Sequence, residues 1–186
     1  MITFNENNYY SYYGEDSESS KEMINNWQSA LLEMLDNSID AWDETTYSPR
    51  HQIEVSTQSF QALLYLVAYY DQNKPIPTKF KASWSVDKVY TRAVAHPKHD
   101  YIKHLLRDVT CFIPANMDFT FDYINPNEDE LEFGSIDELN VTLVWLSDLM
   151  KTDNDLVKLA KDAYTNLYLF TKDAITNKTL LIIDND

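Results

Sequence analysis

Residues 117–133 read Met-Asp-Phe-Thr-Phe-Asp-Tyr-Ile-Asn-Pro-Asn-Glu-Asp-Glu-Leu-Glu-Phe, and their period decides the fold class. Phe119, Phe121 and Tyr123 alternate with Asp118, Thr120 and Asp122. That two-residue period belongs to a strand with one face buried. Asn125-Pro-Asn-Glu-Asp129 is turn material, and Leu131 and Phe133 resume the alternation. The stretch predicts a β-hairpin.

On either side of it the period is helical. Ser19-x-x-Glu22 is a capping box ahead of Met23, Trp27, Leu31, Met34, Leu35 and Trp42, which predicts a helix running to about Asp43. Thr57 opens a second helix through Phe60, Leu63, Leu64 and Val67 to about Gln72. It is apolar nearly all round and belongs at the centre of the core. Trp84 to Val94, ended by Pro97, and Tyr101 to Val109, ended by Pro114, read as a third and a fourth helix. Ser135-x-x-Glu138 is a second capping box and opens a fifth. Asp153 or Asp155 caps a sixth, which runs through Phe170. Ile53 and Val55 mark a short extended piece, and Thr179–Ile183 a terminal strand placed to pair with the hairpin. The sum is an α+β fold, predominantly helical, with about six helices, a hairpin near 117–133 and a C-terminal strand. Residues 20–186 read as one globular domain, and residues 1–19 as an acidic, tyrosine-rich segment expected to be partly ordered. A chain of 186 residues buries enough surface to need no disulfide or metal staple.

Several functions drop out on composition. The chain has only two glycines, Gly14 and Gly134, so no glycine-rich phosphate loop can form. Gly-x-Ser-x-Gly and His-Glu-x-x-His are absent. Cys111 is the single cysteine and sits in an apolar run, which suits a core side chain better than a nucleophile. His96, His99 and His104 lack the spacing of zinc ligands, and Asp153-Asn-Asp155 lacks the glycine and glutamate of a calcium loop. No metal and no cofactor is expected. The first residues carry no basic region and no apolar core, and the longest apolar run, Ala62–Tyr70, is nine residues. These features predict a cytoplasmic protein with no membrane segment.

Charge is the strongest remaining signal. The net charge is −15, unevenly spread. Residues 1–73 hold 12 acids against two bases, and residues 108–150 hold 10 acids and no base. Residues 74–107 hold eight bases against two acids. On the first predicted helix Glu22, Glu33, Asp36, Asp40, Asp43 and Glu44 fall on one side at helical spacing, with no cation between Asp36, Asp40 and Glu44. Glu128, Asp129, Glu130 and Glu132 of the hairpin, beside Asp118, Asp122, Asp137 and Glu138, form a second patch. Unrelieved like charges cost stability, so both patches are candidates to bind a basic protein. Tyr9, Tyr10, Tyr12 and Tyr13 add interface-type side chains near the N-terminus.

The expectation is a non-enzymatic, acidic inhibitor of a basic partner, a nuclease or toxin whose nucleic-acid-binding surface it blocks. The chain itself is too acidic to bind nucleic acid directly. In physical character, though in no motif, this resembles the immunity proteins and antitoxins of bacterial toxin systems. A phage or mobile-element anti-defence protein of the DNA-mimic or anti-CRISPR kind fits the same charges. A small hydrolase using a carboxylate pair is the reading from another class. The lysines of 74–107 either form a site of their own or neutralise one of the acidic patches.

Overall fold

The computed structural model describes residues 1–13, 17–44 and 51–185, and over these it holds seven α-helices and a six-stranded sheet, a mixed α+β fold. The strands are β1 (Ile2–Asn7), β2 (His51–Val55), β3 (Val109–Ile113), β4 (Phe121–Ile124), β5 (Glu130–Ser135) and β6 (Leu180–Asn185). The helices are α1 (Tyr9–Tyr13), α2 (Glu18–Met34), α3 (Thr57–Asp71), α4 (Lys88–Ala95), α5 (Lys103–Leu106), α6 (Ile136–Leu146) and α7 (Asp155–Asn177). Strand order is β2-β1-β6-β3-β5-β4, antiparallel except for the parallel pair β3/β5.

The centre of the sheet is covered on both faces. Phe4, Phe112, Leu181 and Ile183 pack with α3, α6 and α7 on one side. Cys111, Ile113, Phe133, Leu180 and Ile182 pack with α1, α2 and Trp42 on the other. This accounts for the unbroken Leu180-Leu-Ile-Ile183: a strand buried on both faces has no polar side to show. α3 and α7 approach closely at Ser59, whose hydroxyl accepts from the Ala163 amide at 3.0 Å.

The hairpin forms, but its first strand begins at Phe121 rather than near Met117, and Phe119 is exposed. Phe121 stands opposite Phe133 and Tyr123 opposite Leu131, all four toward α2. The Trp27 indole donates to the Ile124 carbonyl at 2.8 Å and ties hairpin to helix. Ser135 caps α6 by accepting from the Glu138 amide, and Asn154, between the two expected aspartates, caps α7.

Five further expectations are corrected. β1 lies inside the sheet, all six residues buried, paired to β2 and β6 over its length. Its polar residues are bonded internally in part: Asn5 donates to Asp184 at 3.0 Å while its buried Oδ1 has no partner, and Glu6 accepts from Thr179 and Asn177. The terminal strand β6 pairs with β1 and β3 and not with the hairpin, because β3 lies between them. Val109–Ile113 is that strand β3 rather than the end of a helix; short apolar runs rich in β-branched residues do not reveal their period. The third helix is split by Asp87, which caps α4 after a separate 3-10 turn at Trp84–Val86. Finally, α2 is capped by Ser17, not Ser19, and stops at Met34, not near Asp43. The Asp36 amide bonds the Glu33 carbonyl, the Asn37 amide bonds the Leu32 carbonyl at 2.8 Å, and both residues have φ above +50°. This is a Schellman stop built on Asp36 in place of glycine.

Gly134 in β5 is there for space. A Cβ at this position would stand 2.9 Å from Val109 Cγ1 and 3.1 Å from His104 Nδ1. Gly134→Ala is expected to lower stability by about 2 kcal/mol, read as a shift in urea midpoint with unchanged slope.

Candidate functional site

Parallel pairing puts the carboxyl ends of β3 and β5 at one edge of the sheet, where open sheets tend to form ligand crevices. Here the chain leaves β3 through Pro114-Ala-Asn116 and leaves β5 into α6 at Ile136-Asp137. The segment after the Schellman stop, Asn37–Trp42, lies across from them, and Ile175 and Lys178 of the α7 end close the side. Together they line a cleft of about 470 Å³, within the size range of small-ligand sites.

Two acidic segments remote in sequence meet at this cleft. Asp40 comes from the first and Asp137 from the second, and both line it. Asp118 and Asp137 both act on Glu138, whose carboxyl is raised above its usual range first by partial burial and then by those two neighbours. Among the described residues none of Glu33, Asp36, Asp40, Asp118, Asp122, Glu128, Asp129, Glu130, Glu132 or Asp137 makes an ion pair. Two of the eight cations of 74–107 pair within their own segment, Lys81 with Asp87 at 3.2 Å and Lys103 with Asp100 at 3.9 Å. The segment also reaches the acidic patches: Lys103 partly offsets the rise at Glu138, and the Arg107 guanidinium donates to the Thr120 hydroxyl, which in turn donates to Glu132.

The remaining sequence candidates separate. Glu33 is exposed near the end of α2, Asp36 is exposed just past it, and Asp43 is exposed farther on. Asp122 faces Glu132 directly across the hairpin, a like-charge pair that the Thr120 hydroxyl relieves by donating to Glu132 at 2.7 Å. Glu128 takes a left-handed turn conformation, Asp129 accepts from Asn125 at 3.2 Å, and Glu130 stands opposite Ile124. The hairpin turn lies at the amino end of β5 and the cleft at its carboxyl end, so Glu128, Asp129 and Glu130 are separated from the cleft by the length of the strand, with Asp122 and Glu132 between.

Glu44 and the tyrosines are corrections. Tyr9, Tyr10 and Tyr12 are buried against α2 and the sheet and offer no contact surface; the Tyr13 side chain lies outside the described residues. Glu44 is 1% exposed and turned inward. Its carboxylate accepts from the Tyr9 and Tyr10 amides at 2.9 and 2.8 Å and from the Trp42 indole at 2.5 Å. Burial pushes its pKa up to about 7, against the pull of those three donors. Both oxygens are occupied by the protein, so this buried carboxyl is a cap for α1 and is not poised for hydrolysis. The helical stripe read through Asp36, Asp40 and Glu44 does not exist, since no helix spans them.

The histidines diverge as well. His96 is exposed, and His99 bonds the buried Asp71 at 2.9 Å. His104 is buried and accepts from the Ser135 amide at 3.0 Å, and burial lowers its pKa to about 4. Among the described residues no three His, Cys, Asp or Glu side chains converge for a metal. Cys111 is fully buried, and burial followed by Glu44 and Asp184 holds its thiol far above the range of a reactive thiolate. Among the described residues no helix is long and apolar enough to cross a membrane.

Asn37, Asn116 and Lys178 of the cleft carried no mark in the sequence, and Trp42 read only as a buried helix position. A hint lay in Asp36-Asn37, a pair that tolerates left-handed backbone and so marks a turn. No family model matches this chain, and neither a curated protein nor a solved structure does.

Proposed function

We propose that the protein is a non-catalytic inhibitor whose acidic cleft and hairpin dock the basic, nucleic-acid-binding surface of a partner protein. In this reading it acts as an immunity protein or antitoxin does on a nuclease-like toxin. The supporting observation is the meeting of two acid-rich segments at one cleft, where Asp40 and Asp137 stand with a single cation, Lys178, among the described lining residues, and no ion pair is made by either aspartate. Clustered unpaired carboxylates raise the encounter rate with a cationic surface and lose that advantage as salt screens them. A protein that blocks a host nuclease or CRISPR effector would use the same surface, and the identity of the captured partner separates the two.

The test is a pull-down from native host lysate with the tagged chain, at low and at high salt, beside the variant Asp40→Lys/Asp118→Lys/Asp122→Lys. These three side chains are exposed and carry no structural hydrogen bond among the described residues, so folding should be unaffected. The expected result is one nucleic-acid-binding protein retained at low salt, released by high salt, and held at least ten-fold more weakly by the variant. Equal retention by the variant, or no specific capture at all, rejects the reading.

A further inference from the structure

A second cavity, of about 330 Å³, opens on the opposite side of β3 from Cys111, within reach of the basic segment 74–107. Its floor is apolar: Ile2, Leu105, Val109 and Ile183 are all buried. Phe60 and Leu64 of α3 and the Trp84 ring, all partly exposed, form its walls. Exposed Arg107 and Asp108 stand at the rim.

Three observations distinguish this cavity from a packing gap. First, the β3/β5 register shifts between Val109 and Cys111, leaving Thr110 as the extra residue of a bulge. Bulges re-aim side chains and gather near binding sites; this one turns Val109 to the cavity side of the sheet and sets Thr110 in the cavity lining. Second, the Thr110 hydroxyl is buried and has no hydrogen-bond partner, which costs free energy unless something else supplies one. Third, Arg107 has no carboxylate partner among the described residues. Its one bond runs from Nη1 to the Thr120 hydroxyl at 3.2 Å, which leaves further guanidinium donors unused.

An apolar chamber with a guanidinium at its rim suits a molecule with an apolar body and a carboxylate head. We propose that this cavity binds a small amphipathic carboxylate, its body over Ile2, Leu105, Val109 and Ile183 and its head on Arg107. The net charge of −15 repels an anion at long range, and Arg107, from the segment 74–107 that holds eight bases against two acids, is the one cation among the described lining residues. Asp108 limits the charge the site can hold and favours a single carboxylate over a dianion. This proposal stands apart from the acidic cleft and does not depend on it.

Isothermal titration with octanoate and with octanol tests it, on the wild type, on Arg107→Gln and on Leu64→Trp. Octanoate should bind the wild type at least ten-fold more tightly than octanol. Arg107→Gln should weaken octanoate at least ten-fold and leave octanol unchanged, and Leu64→Trp should abolish both by filling the chamber. Arg107 is exposed, so its replacement leaves the fold intact, and a matching thermal transition confirms it. Absence of octanoate binding at millimolar concentration, equal binding of octanol, or unchanged octanoate affinity in Arg107→Gln each overturns the proposal.

Discussion

Glu44→Ala is expected to lower stability by about 3 kcal/mol at pH 5 and by about 1 kcal/mol at pH 8. The larger figure arises because the Tyr9 and Tyr10 amides and the Trp42 indole lose a common acceptor in a site from which water is excluded. The pH dependence follows from the raised pKa. The folded carboxyl titrates near 7 against an ordinary 4.5, so the native state binds a proton more tightly than the unfolded chain. Stability from Glu44 is therefore full below pH 4.5 and is lost as pH rises through 7. Urea unfolding of both proteins across that range reads the difference directly. A penalty that grows with pH would mean that the three donors outweigh burial and that the native carboxylate is ionised.

Asp71→Ala should cost about 3 kcal/mol, and Asp71→Asn about half of that, because the amide keeps one acceptor. Asp71 is 0% exposed at the end of α3. It accepts from the Lys98 amide at 3.1 Å, the His99 amide at 3.1 Å, the Gln72 side chain at 2.8 Å and the His99 ring at 2.9 Å. One carboxylate thus anchors the loop before α5, and the His99 ring it holds lies against Tyr101 and Trp145. The loss should lower Tm by about 10 °C for a chain of this size. It should also accelerate hydrogen exchange at Lys98 and His99 while the amides of β6 keep the protection left by the reduced global stability. Uniform loss across the chain would show that the loop carries no separate anchoring energy.

The elements that could be read from the sequence share a property: their signal is local. The 121–133 alternation, the Ser135 cap and the dense apolar face of α3 each reflect a choice the chain makes with its near neighbours. β1 escaped because Ile2-Thr-Phe-Asn-Glu-Asn7 carries only two large apolar residues; it is a strand because β2 and β6 flank it and pair with its backbone. β3 escaped because its five residues fit two periods equally well. The acidic patches were visible as charge but were misplaced by the assumption that α2 continues past Asp36.

Composition and periodicity alone determined the α+β class, the excess of acid, its separation from the basic segment and the absence of phosphate-loop and nucleophile-elbow motifs. Only the tertiary structure decided which carboxylates face water. Asp40 and Glu44 are alike in local sequence, yet one lines an open cleft and the other caps a buried helix end. The reason is physical: a carboxylate's role depends on which donors and which dielectric surround it, and those come from segments brought together by the strand order, about which a linear pattern carries no information.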